Sequence, residues 1–525
     1  MDPKSWDADE VSRYLLLGTS PPDLVGASGV GKRAMVVGST GPFAQLAGRR
    51  VLAAGGSAVD AVVATALAQI ALVAGSYVSY AGVFTLTHFA GGTTDSLSAG
   101  FATFAEEDDP ASIPKQPVAS GRTALVPGFM AGLQAAHRRF GRLPWADLFR
   151  PAIFVAEQGF PVGAGRAAQF ALRKDVLPAW CQAVKGEQFR QPELARTLRA
   201  VAGEGAEWMY HGPWAREFVD VVHGAGGKAT LADLAAYEPV WAKPLTVDFH
   251  GTQVHTVGRG GATLVEALSL AEGVGDPLTE PAALRDLIGI ARRSMRPGSH
   301  SDFVLAVDSY GAVAAACHSI NTSLWGTTGL FAGGVSIPDA ASFQQATLAE
   351  LGPGDHVPSP ANPAIALRDG VPVLASSSIG AGLHCATLQC LHAVLGLGVG
   401  VAEAVRRPMF HGPDYLAGDT AVTPLKERLQ GKHFGTTWQQ AVQRAREAGM
   451  SREDARDAVL ADIPQVIEDR FDPDVLRRTE QLGQLLTVRP VTEAAMPRGF
   501  WGGIGIGDGL VGGRTPFSGG TIEGL

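Results

Sequence analysis

Residues 301–326 read SDFVLAVDSYGAVAAACHSINTSLWG. Val304, Ala306 and Asp308 alternate with Leu305 and Val307, and Ser309-Tyr310-Gly311 supplies a turn. The stretch therefore predicts a β-hairpin led by a hydroxyl residue. The returning strand, Ala312 to Ile320, sets Ser319 and Asn321 two residues apart and hence on one face. In that pairing Ser301 lies opposite a second hydroxyl and an amide. Polar groups gathered at one end of an otherwise apolar hairpin are candidates for chemistry.

The rest of the composition narrows the class. With 46% hydrophobic and 18% charged residues, the 525-residue chain describes a well-buried globular enzyme, and α/β chains of this size often share one large core. A net charge of −8 and the absence of any Lys/Arg-dense run give no footing for nucleic acid. Cys181, Cys317, Cys385 and Cys390 lie in apolar sequence without a disulfide framework, which points to a reducing compartment. The acidic start, MDPKSWDADEVSRYLLLG, lacks the basic and apolar regions of a secretory signal, so a cytoplasmic protein is expected. Ala61 to Ala74 is the most apolar run; at fourteen residues, with Gln69 inside it, it predicts a buried helix rather than a membrane span.

Three other signals carry little. His384, Cys385, Cys390 and His392 lack paired metal-ligand spacing and sit in an apolar helical pattern, so no metal is expected. Gly258-Arg259-Gly260-Gly261-Ala262 reads as a loop without the strand, helix and acidic partner of a dinucleotide site. No Gly-x-Ser-x-Gly elbow is present. No cofactor is implied.

The hairpin resembles the start of the small subunit of γ-glutamyltranspeptidases, N-terminal nucleophile hydrolases in which a threonine becomes a new N-terminus and attacks the substrate. The family reads there as Thr-Thr-His, a strand, Asp-x-x-Gly, a second strand and Thr-Leu-Asn. Laid on this chain without gaps, Asp308, Gly311, Ser319 and Asn321 fall in register, and Ser301 takes the nucleophile's place. The chemistry needs this arrangement. A serine hydroxyl is a poor nucleophile at neutral pH, whereas an N-terminal serine brings its own base, an α-amine of pKa about 7.7–8. The resemblance implies a four-layer αββα fold and self-cleavage between His300 and Ser301. The products would be a large subunit, 1–300, and a small one, 301–525, held as a heterodimer. Ser319 would orient Ser301, Asn321 would bind substrate, and the backbone of Ile379-Gly380 would form the oxyanion hole.

The resemblance extends over about residues 33–412 and 465–525. It includes Ala54-Gly55-Gly56-Ser57-Ala58-Val59-Asp60, a helix opened by Val126-Pro127-Gly128, and the run Gly141-Arg142-Leu143-Pro144-Trp145. The glycine-rich tail from Gly502 to Gly524 alternates with apolar residues, as ordered strands would. Between 414 and 464 lies material the family pattern does not require. It reads as two helices, Thr437 to Glu447 and Ser451 to Asp462, the second opened by a capping box.

The substrate anchors depart from the family. Gly100 stands where an arginine takes the donor's α-carboxylate, and alignment on Phe343 puts Ser342 where an aspartate takes its ammonium. Asp339, after Pro338, reads as part of a surface turn. Of two carboxylate-binding serines, one survives as Ser359 in Ser359-Pro360-Ala361-Asn362-Pro363. Charge-assisted hydrogen bonds are worth about 1.5–3 kcal/mol each, so losing both anchors argues against glutathione. The expectation is a self-processing hydrolase or acyltransferase working through an acyl-enzyme on another small molecule, in a biosynthetic pathway. A hydrolase of carbon–carbon bonds beside a carbonyl, a true γ-glutamyltransferase, and an uncut binding homologue are the alternatives. Neither nucleic acid nor membrane is expected as a partner, and higher oligomers stay open.

Overall fold

The computed structural model describes residues 1–21, 23–114, 120–294, 301–322, 328–413, 449–450, 463–492 and 498–525. The predicted hairpin is its centre. Strands Ser301–Val307 and Val313–Ser319 pair antiparallel, with Ser301 opposite Ser319 and Phe303 opposite Cys317. Asp308 fixes the turn: Oδ1 accepts the N–H groups of Tyr310 and Ala312 at 2.9 and 3.0 Å, and Gly311 completes it at φ +86°. The other oxygen, Oδ2, accepts Ala58 N–H at 2.9 Å, at the first turn of helix Ala58–Leu72. One carboxylate thereby ties the hairpin to a first-turn N–H that has no partner within the helix.

The hairpin occupies the third and fourth places of a seven-stranded antiparallel sheet. Its order is Ile522–Gly524, Met35–Gly38, Ser301–Val307, Val313–Ser319, Val83–Ala90, Thr93–Ala99, Val240–Ala242. A second seven-stranded sheet runs Ala27–Gly31, Leu510–Arg514, Phe500–Ile506, Val371–Ile379, Ala364–Arg368, Thr252–Thr256, Leu245–Phe249. Alternation along the hairpin explains the layers. Phe303, Leu305, Ala315 and Cys317 face Ile365, Ala375 and Ile504 between the sheets. Val304, Ala306, Ala314 and Ala316 face the helices, with Val62, Ala66 and Phe129 in their cluster. Helices Gly258–Ala271, Pro281–Ser294 and Leu383–Leu391 cover the outer face of the second sheet. The result is the four-layer αββα sandwich.

Helix Ala58–Leu72 is buried from Ala58 to Ala71, as an apolar pattern on every side requires, and Ser57 and Asp60 form a capping box at its start. Among the described residues no helix is long and apolar enough to cross a membrane. All four cysteines are free and buried. The glycine-rich tail is ordered as three strands, and its glycines admit the opposing sheet: a Cβ on Gly502 would lie 2.4 Å from the Phe303 ring.

Gly258 to Ala262 is not a loop but the start of helix Gly258–Ala271, directly after strand Thr252–Thr256. Glycine is used there for close approach, since a Cβ on Gly260 would lie 2.1 Å from Pro360 O. Both neighbours of that strand are antiparallel, so no dinucleotide-type parallel crossover exists. The two helices expected at Thr437 to Glu447 and Ser451 to Asp462 lie outside the described residues. The insertion's flanks are visible: Phe410–Pro413 and Gln465–Glu468 are antiparallel neighbours, so the extra segment leaves and returns at one place.

Candidate active site

At the open end of the hairpin the Ser301 and Ser319 hydroxyls are 2.9 Å apart, with residues 7% and 3% exposed. The strand pairing sets this distance, because directly opposed residues project side chains to the same face. Asn321 reaches the pair differently from the sequence expectation. The strand ends at Ser319, and Asn321 takes a left-handed backbone, φ +50°, that asparagine tolerates better than most residues. Its backbone N–H, not its side chain, donates to Ser319 Oγ at 2.8 Å. The Asn321 amide is 5% exposed, and neither Oδ1 nor Nδ2 has a hydrogen-bond partner among the described residues. A buried amide left unpaired costs free energy that a bound ligand can recover. His300, and Ser299, the weaker nucleophile candidate because choosing it requires a two-residue bulge, lie outside the described residues.

Directly after the serine, Asp302 projects to the helix face. It accepts Ser39 Oγ at 2.7 Å and Thr40 Oγ1 at 2.8 and 2.7 Å, while Ser39 Oγ also takes Phe303 N–H at 2.8 Å. Both sides of residue 302 are thus pinned beside Ser301. Burial pushes the Asp302 carboxyl up to about 7, against the hydrogen bonds from Ser39 and Thr40 and the nearby Arg166. Its partner across the ladder, His318, is driven down to about 3 by burial, and its Nε2 meets Gln69 Oε1 at 2.9 Å. Sequence reading passed over Asp302, although it stands where the family pattern has a second threonine.

The remaining positions separate. Ile379 ends strand Val371–Ile379 in the inter-sheet layer with Phe303 and Cys317, and Gly380 follows at φ +87°. A Cβ on Gly380 would lie 2.8 Å from Arg498 O, so glycine is required there on two counts. Ser359 is 2% exposed; its Oγ accepts Ala361 N–H at 3.3 Å, and its carbonyl takes Gly260 N–H at 3.1 Å. Ser342 donates to Pro114 O at 2.6 Å, a link that holds helix Ala340–Leu348 to the 110–114 segment. Gly100 is packed shut: Tyr237 Oη donates to its carbonyl at 2.6 Å, and a Cβ would lie 2.6 Å from Val357 O. Asp339 is not in a surface turn. It is fully buried and accepts Thr322 Oγ1 at 2.5 Å, which joins the residue before helix Ala340–Leu348 to the end of the hairpin. Among the described residues no three of His, Cys, Asp and Glu gather as metal ligands.

The packing at Gly100 gives a first prediction. Gly100→Arg, which restores the family residue, should not install a carboxylate anchor. It should lower thermal stability by several degrees, because backbone rather than a movable side chain blocks the Cβ. A melting curve unchanged from wild type would refute this.

Two facing antiparallel sheets between helix layers, with a hydroxyl pair at the end of a central hairpin, define the N-terminal nucleophile hydrolase class. Residues 44–299, just under half of the chain, match the γ-glutamyltranspeptidase family profile, a match that supports membership of that family. A glutathione hydrolase proenzyme of Pseudomonas aeruginosa is 34% identical over 243 residues, 42% of this chain and 43% of that protein. The glutathione hydrolase proenzyme of Escherichia coli is 26% identical across 74% of this chain and 83% of its own length. Acylase ACY 1 proenzyme of Pseudomonas sp. (strain V22) is 28% identical over 46% and 48%. The match to each of the first curated relatives spans less than half of that relative's length. Cephalosporin acylase from Bacillus halodurans superposes with a TM-score of 0.75 at 18% identity, over 95% of this chain and 97% of that one, a likeness of fold.

Proposed function

We propose that this protein is a member of that family and a self-processing acyl-transfer enzyme with Ser301 as its nucleophile. The observation that carries the reading is the 2.9 Å contact between Ser301 and Ser319 at paired strand ends. In the precursor, Ser301 Oγ attacks the carbonyl carbon of His300 and the C–N bond breaks. The nitrogen becomes the α-amine of Ser301, and water hydrolyses the resulting ester. In the mature enzyme that amine takes the Ser301 proton as the oxygen attacks the donor's carbonyl, and Ser319 steers the oxygen by hydrogen bonding. Backbone N–H groups at Ile379-Gly380 receive the oxyanion. The leaving group departs, and water or an acceptor amine resolves the acyl-enzyme.

Relatives named as proenzymes support the cleavage step. The absence of an arginine at Gly100, with no room for one, supports a donor other than glutathione. Either a nitrogen or a stabilised carbon leaving group is compatible with such a site, and a place in biosynthesis follows from neither. Four buried free cysteines suit a reducing, cytoplasmic setting.

The test is intact-mass spectrometry of the purified protein with N-terminal sequencing of any fragment. Two fragments meeting at His300/Ser301, held together as a heterodimer, are the expected result. A single 54.6 kDa chain that stays whole for days would remove the self-processing reading and favour an uncut binding homologue.

A further inference from the structure

Helix Ala164–Leu172 carries Arg166, and Arg173 follows its last residue. Seven residues make about two turns, so the two arginines lie on one side of the helix. Arg166 is engaged: Nη1 donates to Val73 O at 3.1 Å and Ser76 Oγ at 2.8 Å, and its guanidinium stands 5.7 Å from the Tyr77 ring, near Asp302. Arg173 is not engaged. It is 8% exposed, yet among the described residues its side chain donates no hydrogen bond and forms no ion pair. The charge it senses is the buried carboxylate of Asp339, out of ion-pair contact. Asp339 accepts Thr322 Oγ1, and Thr322 directly follows Asn321. Backbone packing holds Arg173 to the same region: Val176 N–H donates to Arg173 O at 2.9 Å, and a Cβ on Gly329 would lie 2.6 Å from Val176 O.

A guanidinium cannot shed its proton to escape burial, so a buried one calls for an anion or for several acceptors. An ordinary structural role would be to cap the helix by donating to its last carbonyls. Arg173 donates to none of them among the described residues. Asn321, on the loop that Asp339 braces, is likewise buried with its amide unpaired. Two unpartnered groups of different chemistry, one neutral and one cationic, therefore flank the Thr322–Asp339 contact that follows the serine-bearing hairpin. Gly100 leaves no room for a charged side chain at the position where the family has its arginine.

We propose that Arg173 receives a carboxylate of the acyl donor, with the Asn321 amide bonding to the polar part of the donor between that carboxylate and the reacting carbonyl. The proposal relies on the acyl-transfer reading only for where the reacting carbonyl lies; the binding of the anion stands apart from it. A singly charged carboxylate suits the place better than a phosphate, because Asp339 already contributes negative charge there.

The test is isothermal titration of the wild-type protein with ketones that mimic an acyl donor and have no leaving group. The charged probes are 4-oxoheptanoate, 5-oxooctanoate and 6-oxononanoate; the neutral probe is octan-4-one. At least one oxo acid should bind roughly tenfold to a hundredfold more tightly than the ketone. Arg173→Met should erase the preference, and Arg173→Lys, which keeps the charge, should retain part of it. The proposal is overturned if no oxo acid binds more tightly than octan-4-one, a comparison that needs no variant. It is equally overturned if a folded Arg173→Met protein keeps the preference. Failure of self-cleavage would sink the catalytic reading while leaving these affinities to stand or fall separately.

Discussion

Ser301→Ala is expected to leave the chain whole at 54.6 kDa and to bring acyl transfer to background, while the protein still folds. Alanine removes only the oxygen that meets Ser319 at 2.9 Å, and the strand it leads is held by pairing to Val313–Ser319 and Met35–Gly38 and by the Ser39 clamp on Phe303 N–H. The melting temperature should therefore stay within a few degrees of that of the uncut precursor. Ser319 cannot take over, because it lies at the end of a strand and cannot acquire a free amine by cleavage beside Ser301. Ser319→Ala should be milder, slowing cleavage and turnover by about 10- to 100-fold, the kinetic worth of one orienting hydrogen bond. Ser301→Thr should keep both activities, its added methyl stiffening χ1 without removing the nucleophile. Cleavage at 300/301 persisting in Ser301→Ala would end the assignment.

How much of this was legible in the sequence depends on the range of the forces involved. The hairpin, its turn and the Ser301–Ser319 pairing follow from period-two alternation and a short turn, which act over neighbouring residues, and all three are present. The buried helix at Ala58–Leu72 was readable because its apolar residues occupy every face. Asn321 was misplaced because alternation applies only while the strand lasts, and the strand ends at Ser319. The helix at Gly258 was hidden by glycines whose purpose is the close approach of Pro360 from a distant segment. Asp339 and Arg173 were opaque for the same reason: each takes its meaning from a segment far away in the chain, and neither has a local pattern to betray it. Asp302 was visible as a departure from threonine, but its partners Ser39 and Thr40 lie more than 260 residues away.

Asp302 and His318 face each other across the ladder and should pull stability in opposite directions with pH. His318 has its pKa lowered from 6.5 to about 3 by burial. A depressed histidine stabilises the fold fully above the unfolded value, and that contribution is lost as pH falls from about 6.5 toward 3. Asp302 has its pKa raised from 3.8 to about 7, chiefly by burial. A raised carboxyl stabilises fully below the unfolded value, and that contribution is lost as pH rises from about 4 through 7. At about 1.36 kcal/mol per pKa unit, each swing is on the order of 4 kcal/mol. Between about pH 4 and 6.5 the two slopes oppose and largely cancel, so this pair contributes little net pH dependence to the wild type. Single substitutions should expose each slope. Relative to its parent, Asp302→Asn should gain stability as pH rises through that range, and His318→Gln should gain stability as pH falls. Urea unfolding between pH 4 and 8 in the uncut Ser301→Ala background, where one chain unfolds, measures both differences. Tyr77 and Arg166 beside Asp302, and Gln69 and Phe129 beside His318, are unchanged in that comparison. Two variants whose stability differences from the parent stay flat with pH would show that neither group is held in the state its burial demands. Slopes of the same sign would show that one of the two groups is shifted the other way, its charged form held rather than excluded by its surroundings.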